Sequence, residues 1–292
     1  MQKRILLLTA VLLLSMFRVP VLGEDTVSFG DVIVPRNAEE IDLGFQVVED
    51  WKAFEDFLRM LPNLKKVDMF STIVEKKDIE RLVNSFPNAK FGWTIHITHE
   101  HYIRTDQTAF STLHGGCAPH ESRDFEVLKY CTELRALDIG HNDVTDLSFL
   151  APLTKLRVLI LACNENLHSI QVLSTLKDLE YLELFSCPIE NIRPLAELPH
   201  LMDLNIAYTN VYNYSVLFEM PQLKRLWIPQ LGIYLGKEEI EKLQAALPST
   251  IIMNHGHPTD NGWREGSHYE TIYQIFHSDE YIPFEDSYPI ED

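Results

Sequence analysis

The sequence predicts an α/β solenoid, in which a curved parallel sheet forms the concave side and helices or 3₁₀ turns form the convex side. Units of similar sequence succeed one another at spacings of 22, 23, 22 and 22 residues, from starts at Leu134, Leu156, Leu179, Leu201 and Leu223. Every complete unit has Leu at its first and fourth places and Leu or Ile at its sixth. Such a fixed register excludes a single amphipathic helix, whose apolar places recur about every 3.6 residues.

The first half of each unit predicts a short strand. Leu134, Leu137 and Ile139 alternate with residues that point the other way, and the next unit supplies an equivalent strand. One unit cannot fold alone, since its few core side chains contribute about 1.5 to 3 kcal/mol each against about 1 to 2 kcal/mol of backbone entropy per ordered residue. Stacked units share their core. The ninth place is expected to bond the neighbouring turn through Asn142, Asn164, Cys187 and Thr209.

This arrangement resembles the leucine-rich repeat. The second half of each unit has apolar residues in steps of three, which favours 3₁₀ or extended turns over α-helix. These residues are Leu147, Leu150 and Leu153, then Ile170, Leu173 and Leu176, then Ile192, Leu195 and Leu198.

The flanking regions predict longer repeats with an α-helix on the outside. Apolar residues at helical spacing occupy 51–61 before Pro62, 79–86 before Pro87 and 240–247 before Pro248. The corresponding early strands are predicted at 41–43, 67–69 and 92–94.

The chain divides into a targeting segment, a repeat domain and a tail. Lys3 and Arg4 precede the apolar residues 5–17, and Pro20 follows them, which predicts a signal peptide over 1–23 with cleavage before Glu24. An uncleaved membrane anchor is the alternative, but residues 5–17 are shorter than the roughly 20 residues needed to cross a bilayer. The repeat domain is predicted at 24–277, and an acidic tail follows at 278–292.

Within the repeat domain we expect longer helix-containing repeats at 24–98, an insertion at 99–122, the 22-residue repeats at 123–236 and a C-terminal cap at 237–277. Residues 262–276 predict a terminal helix that covers the last open strand, as solenoid ends require. The tail carries acids and prolines typical of disorder, and its aromatic residues favour docking instead: Tyr281, Phe284 and Tyr288.

The net charge is −18. Such a surface repels nucleic acid and anionic membranes, and it favours basic partners or divalent cations. Solubility alone is the simpler explanation.

Four cysteines in an exported chain allow disulfides. Cys163 and Cys187 stand near the same place in adjacent units, so a bridge is sterically possible, and a ladder role for Cys187 with a buried Cys163 thiol is favoured. For Cys117 and Cys131 the pattern leaves pairing open.

No catalytic residue, metal site or cofactor is predicted. His96, His99, Glu100 and His101 include metal-ligating types, but the zinc-protease spacing fails because Ile103 stands at the required histidine place. The alternation there indicates a hairpin with histidines on its wet face. His255 with His257 gives an equally weak metal signal, and the turn around Cys117 carries no nucleophile motif.

The concave face is the predicted binding surface. Its outward places mix aromatic residues with charges, the types enriched in binding hot spots, and packing under the C-terminal segment is the alternative. The predicted contact residues are Arg135, Asp138, His141, Arg157, Ile160, Tyr181, Glu183, Phe185, Asp203, Asn205, Tyr208, Arg225 and Trp227. Within this set, Ile160, Phe185, Tyr208 and Trp227 are expected to form an exposed apolar strip.

The repeats, the Trp-containing insertion after Phe91 and the stretch 262–264 resemble secreted or surface-displayed bacterial leucine-rich repeat proteins, of which the internalins are the familiar example. The resemblance implies an arc whose concave side binds another macromolecule, often a host or cell-surface protein. The family's usual wall-anchor modules are missing, so secretion is expected rather than display.

Together these observations predict an exported, non-enzymatic scaffold that binds a protein partner through its concave face, with no nucleic-acid partner and no membrane span after signal cleavage. The alternative is a glycan-binding protein that uses the aromatic strip. A third class, an enzyme or metal protein, would use the histidine-rich insertion.

Overall fold

The computed structural model describes residues 25–98, 100–113, 119–229, 235–260 and 262–284. These residues form a leucine-rich repeat solenoid, in which a two-stranded hairpin, a four-stranded sheet and a seven-stranded sheet follow one another along the chain. The predicted fold class is therefore confirmed. The predicted signal peptide, His99, Cys117 and the tail beyond Phe284 lie outside the described residues.

An antiparallel hairpin that the sequence analysis did not predict closes the first end of the core. Its strands are β1 (Thr26–Phe29) and β2 (Val32–Pro35). The Phe29 ring lies 5.0 Å from the ring of Phe54 and 5.7 Å from that of Phe57. The hairpin thus covers apolar side chains that no preceding repeat would cover.

The four-stranded sheet carries the predicted longer repeats. Its strands, in spatial order, are β3 (Glu40–Asp42), β4 (Lys66–Val74), β5 (Lys90–His96) and β6 (Tyr102–Arg104). The first three are parallel, and β6 turns back antiparallel to β5, which confirms the predicted hairpin. The expectation that its histidines lie on the wet face is wrong for His101, which is buried.

Two helices connect the parallel strands of this sheet, α1 (Trp51–Arg59) and α2 (Lys76–Ser85). Asp50 caps α1 by accepting a hydrogen bond from the backbone N–H of Ala53 at 3.0 Å. Each helix buries one apolar face, with Phe54 and Leu82 completely inaccessible to solvent. Both helices confirm the predicted amphipathic stripes.

The seven-stranded sheet is parallel throughout. Its strands are β7 (Ala109–Ser111), β8 (Ala136–Asp138), β9 (Val158–Ile160), β10 (Tyr181–Glu183), β11 (Asp203–Asn205), β12 (Arg225–Trp227) and β13 (Ile251–Met253). The fourth-place leucines pair in register, in the row Leu137, Leu159, Leu182 and Leu204. The common hydrophobic row is therefore confirmed.

The sheet is longer than the repeat pattern indicated. β7 pairs with β8, although its residues were assigned to the insertion, and β13 pairs with β12 within the predicted cap. These end strands lack the repeated Leu spacing, which explains why the pattern missed them.

The ninth-place residues Asn164 and Cys187 bond the preceding coil as predicted. The Asn164 side chain donates to the carbonyl of Ile139 in the preceding coil at 3.1 Å and accepts from the backbone N–H of Val144 at 2.9 Å. The Cys187 thiol donates to the Leu161 carbonyl at 3.2 Å, again in the preceding coil. The Thr209 hydroxyl donates to the Ile206 carbonyl of its own coil at 2.8 Å.

The convex side of the repeats consists of a short helix, α3 (Ser122–Phe125), and 3₁₀ helices. The 3₁₀ helices are Glu126–Tyr130, Ser148–Leu150, Gln171–Thr175, Arg193–Glu197 and Ser215–Glu219. The apolar steps of three therefore predicted the correct convex geometry.

The C-terminal region contains α4 (Lys237–Ala246), as predicted, and α5 (Gly266–Ser278). α5 does not cover the last strand of the sheet. It lies on the concave face and contacts β7 and β8, at the opposite end of the sheet from β13. The predicted end-capping role of this helix is therefore wrong.

None of the helices in the described residues combines the length and the apolar character that crossing a bilayer requires.

Candidate functional site

The concave face of the seven-stranded sheet is covered by the chain itself. We define the C-terminal strap as residues 254–284 without residue 261; it contains α5. Strap residues Trp263, Ile275 and Phe276 are buried against the outward side chains of the strands, including Val158 and Trp227. This contact forms a second apolar core on the side of the sheet opposite the solenoid interior.

Three predicted contact residues hold the first part of the strap by hydrogen bonds. Asn205 donates to the carbonyl of Pro258 at 2.8 Å, and the Trp227 indole donates to the carbonyl of Asp260 at 3.1 Å. The Tyr208 hydroxyl donates to the carbonyl of Gly256 at 3.2 Å. These polar groups therefore bind backbone of the same chain.

A buried charge network holds α5. Arg225 donates to Asp203 through Nη2 and Nε at 2.8 and 3.1 Å, and His268 Nδ1 lies 2.8 Å from an Asp203 oxygen. Arg225 also donates to the Trp263 carbonyl at 3.1 Å. Burial alone would raise the pKa of Asp203, but the hydrogen bond from His268 and the charge of Arg225 hold that pKa below its ordinary value.

Glu183 sits at the centre of the covered face. Its Oε1 accepts hydrogen bonds from the Trp263 indole at 2.8 Å and from the Tyr181 hydroxyl. Burial, followed by the charge of Glu183, raises the pKa of Tyr181 well above its ordinary value. Tyr181 therefore remains a neutral hydrogen-bond donor at physiological pH.

The start of the predicted tail is docked rather than free. After Asp279, in the left-handed conformation at φ 55°, the chain reverses direction. The Tyr281 backbone N–H donates to the Thr108 hydroxyl at 2.8 Å. The Phe284 ring stacks on His268 with centroids 4.4 Å apart. Of the two alternatives for the tail, docking holds as far as Phe284.

The structure buries nine of the thirteen predicted contact residues: Asp138, Ile160, Tyr181, Glu183, Phe185, Asp203, Asn205, Arg225 and Trp227. The remaining four are exposed or half-buried: Arg135, His141, Arg157 and Tyr208. The expectation of an exposed apolar strip is therefore wrong, because the strap packs on it. These nine residues follow the alternative prediction, in which the concave side chains pack under the C-terminal segment.

The histidine-rich insertion does not assemble a metal site among the residues described. His96 stacks on Tyr102 with centroids 4.7 Å apart, and His101 is buried with its Nδ1 3.1 Å from the Thr98 hydroxyl. Across the described ranges, no group of three or more His, Cys, Asp or Glu side chains is placed to hold a metal ion.

The three described cysteines are free thiols, so Cys163 and Cys187 are not bridged; Cys187 is buried, whereas Cys163 is half-buried rather than buried as expected. Burial raises the pKa of Cys131 and of Cys163, and it raises the pKa of Cys187 to about 12. Because the thiolate is the nucleophile, these protonated thiols are unsuited to nucleophilic catalysis at neutral pH.

The concave face of the four-stranded sheet is open. The Arg104 guanidinium lies 4.1 Å from the centroid of the Phe70 ring. The Phe70 ring in turn covers Gly92, where a Cβ would approach Phe70 Cζ to 2.5 Å. Charged and polar side chains of this face remain partly or fully accessible, among them Lys66 and Tyr102.

Exposed apolar residues border the open face, two in the loop between β3 and α1 and one on β4. Phe45 is 99% exposed, and Val47 and Ile73 are 49% and 51% exposed. The loop is held to β4 by two hydrogen bonds, from the Ser71 hydroxyl to the Gly44 carbonyl at 2.9 Å and from the Val48 N–H to the Thr72 hydroxyl at 3.0 Å. We call Phe45, Val47 and Ile73 the apolar loop cluster.

Sequence reasoning missed the apolar loop cluster and the location of the strap. For the strap a signal existed, since outward-facing Ile160, Phe185 and Trp227 would together form an apolar patch of the kind that another segment or a partner covers. The segment around Trp263 and Phe276 supplied a matching apolar surface. For the loop cluster no periodic pattern was present.

No protein-family model matches the sequence, and the comparison with curated proteins gives no match. Internalin C2 from Listeria monocytogenes is 22% identical, with a TM-score of 0.37, over 53% of this chain and 76% of its own. An internalin (inlF) from the same organism is 16% identical, with a TM-score of 0.40, over 77% of this chain and 84% of its own.

A leucine-rich repeat protein from Leptospira interrogans is 16% identical, with a TM-score of 0.39, over 76% of this chain and 55% of its own. The present chain thus spans about half the length of the Leptospira protein. These likenesses concern the fold alone, and the strand register above establishes that fold independently.

Proposed function

We propose that the protein is an exported, non-enzymatic recognition scaffold that binds a protein partner on the concave side of its solenoid. The observation that carries the proposal is the apolar loop cluster, which exposes Phe45, Val47 and Ile73 beside the uncovered sheet. Exposed aromatic and aliphatic side chains of this kind are what protein interfaces bury. The net charge of −18 favours a basic partner.

The strap limits which predicted residues take part. The nine buried residues hold the strap and do not touch a partner while the strap is in place. The contact surface we propose comprises the open four-stranded face, the apolar loop cluster and the accessible members of the predicted set, Arg135, His141, Arg157 and Tyr208. Export is proposed from the sequence of residues 1–23 alone.

The aromatic strip on which the glycan alternative depends is largely buried. Stacking on sugars requires exposed aromatic faces, whereas Phe185 and Trp227 are buried under the strap. The described cysteines fit a non-enzymatic role, because burial raises the pKa of their thiols and so disfavours the thiolate that acts as a nucleophile.

The test is affinity capture of basic proteins from the fluids and cell surfaces that the protein meets, followed by Kd measurement with the captured partner. Replacing Phe45, Val47 and Ile73 together by Ala is expected to weaken binding at least about tenfold, because hot-spot truncations cost about 2 kcal/mol or more. The matched control replaces three exposed apolar residues elsewhere, Tyr212, Phe218 and Ile251. It is expected to bind like the wild type.

Equal binding by the loop-cluster variant and the control would contradict the proposed surface. Substitution of Phe185 or Trp227 is unsuitable for this test, because their burial makes any loss of binding a consequence of lost packing.

A further inference from the structure

A cavity of about 350 Å³ lies between α5 and the concave face of the seven-stranded sheet. Its sheet side includes Asp138, Ile160 and Glu183, and its helix side includes Ile272 and Phe276. At about 30 Å³ for each water-sized group, the cavity accommodates roughly a dozen non-hydrogen atoms. It therefore has the size of a small-ligand site.

The acids in this cavity are poorly compensated. Glu183 is 1% exposed, and its Oε2 accepts no hydrogen bond from any residue that the structure describes. Arg264 Nη2 lies 3.8 Å from Glu183 Oε2, within ion-pair range but beyond hydrogen-bond distance. Arg264 is itself 41% exposed. A buried carboxylate oxygen in this position is costly unless a donor reaches it.

Asp138 is the second buried acid that lines the cavity. It is 2% exposed, and its carboxylate accepts hydrogen bonds from the Gly140 N–H at 3.0 Å and the Ser111 hydroxyl at 3.3 Å. Burial is the largest cause that raises its pKa to about 7, and the nearby charge of Glu183 adds to the rise. Asp138 and Glu183 stand on either side of Ile160 in register, so a cation between them would attract both.

The remaining walls are apolar and aromatic. Tyr269, Ile272 and Phe276 of α5 face Ile160 and Ala162 of the sheet side. At the rim, Tyr273 and Leu113 are about half exposed, with His141 and His277 beside them. The rim gives the cavity an accessible mouth.

We propose that this cavity binds an organic cation with an apolar arm, an alkylguanidinium or alkylammonium group, whose charged end meets Asp138 and Glu183. The apolar arm lies between α5 and the sheet. The same chemistry exists in a free alkylamine and in the Arg or Lys side chain of a peptide. The cavity is separate from the apolar loop cluster. The proposed function therefore remains if this cavity binds no cation, and this site remains if the loop cluster binds no protein.

The direct test is calorimetric titration of the full chain with three probes of similar shape, butylguanidinium, uncharged butylurea and anionic butyrate. Butylguanidinium is expected to bind at least about tenfold more tightly than butylurea, because hydrogen bonds to charged groups contribute about 1.5 to 3 kcal/mol. Butyrate is expected to show no binding. Equal binding of the cation and the neutral probe, or no binding of the cation, would overturn the site.

Two conservative variants locate the charge. Asp138→Asn keeps an oxygen for the Gly140 N–H, and Glu183→Gln keeps an oxygen for the Trp263 indole. Each is expected to weaken butylguanidinium binding at least about tenfold, whereas the exposed control Glu190→Gln leaves it unchanged. Unchanged binding in both cavity variants would place the cation elsewhere and overturn the proposal.

A short capped glycine peptide with one central arginine separates the two sources of the cation. Tighter binding of the peptide than of butylguanidinium assigns the site to a basic side chain, and weaker binding assigns it to a free small cation. Should either cavity variant fail to fold, the comparison of probes on the wild type still decides the proposal. Thermal unfolding monitors the fold of every variant.

Discussion

Both concave faces of this solenoid are built mainly from parallel strands, yet one is exposed to solvent and the other is covered. On the four-stranded sheet the outward residues include Lys66, Phe70 and Tyr102, and the face is open to solvent. On the seven-stranded sheet they include Tyr181 and Trp227, and the face is buried beneath the strap. The outward side chains, rather than the repeat itself, therefore decide whether a concave face stays exposed to solvent or is buried.

Ion pairs show the same difference. Lys66 Nζ lies 2.6 Å from Asp68, with side-chain exposures of 47% and 22%. Arg225 Nη2 lies 2.8 Å from Asp203, with side-chain exposures of 6% and 1%. Solvent screens the first pair, whereas the second pair depends on its partners for all compensation of charge.

The largest effect is expected from removing one partner of the buried pair. Asp203→Ala removes the buried carboxylate that pairs with Arg225 and hydrogen-bonds His268, so the free energy of unfolding should fall by about 3 to 5 kcal/mol. The matched substitution on the open face, Asp68→Ala, should cost about 1 kcal/mol or less. Urea unfolding of the three proteins measures both values.

Comparable losses of unfolding free energy in the two variants would contradict the difference between the two faces, because they would mean that solvent reaches Asp203 as easily as Asp68. A selective increase in amide hydrogen exchange across α5 in Asp203→Ala would show that the buried pair holds α5 in place, since α5 contains His268, which bonds Asp203.

A smaller effect concerns pH. Burial raises the pKa of Asp138 to about 7, whereas an unfolded aspartate has a pKa of about 3.9. Between these pH values the folded state holds a proton that the unfolded chain has released, so the free energy of unfolding falls as the pH rises. From about pH 5 to about pH 8 the wild type should lose about 2 to 3 kcal/mol more than Asp138→Asn, at about 1.36 kcal/mol per pKa unit.

Unfolding of both proteins by urea at a series of pH values measures this difference. Parallel pH curves would show that Asp138 is solvated, and the strap would then not seal the covered face around it.

The smallest effect is expected on the open face. Arg104→Ala removes the cation–π contact with Phe70 and the ion pair with Asp106, and it should cost about 0.5 to 1 kcal/mol because both contacts are reached by solvent. Arg123→Ala, which breaks another exposed ion pair without an aromatic partner, is the control. A loss as large as that of Asp203→Ala would show that the open face is stabilised like the covered one.

The sequence predicted those parts of the fold that repeat. The leucine register gave the strand row and the ladder residues, because each coil must present the same side chains to the next. Parts that occur once were predicted poorly, for example the hairpin around Phe29 and strand β13. No second copy existed to reveal their register.

For the binding surface, the sequence identified correctly which side chains leave the solenoid core. It did not identify what covers them, because contacts such as that between Asp203 and His268 join residues far apart in the chain and follow no period. The apolar character of Phe185 and Trp227 suited both a partner and the chain's own helix. Only the position of the strap separates these possibilities.

The span of α5 fixes the number of coils. Its 13 residues extend about 20 Å, close to the roughly 19 Å across the four strand spacings from β11 to β7. The strap has two anchors, His268 of α5 on Asp203 and Tyr281, which follows α5, on Thr108, and their partners on the sheet stand at the two ends of that distance. Repeat arrays ordinarily grow or shrink by duplication or loss of a unit. One additional coil between these anchors would move them about 4.8 Å further apart. The strap therefore opposes a change in the number of coils. Variation by substitution within coils remains.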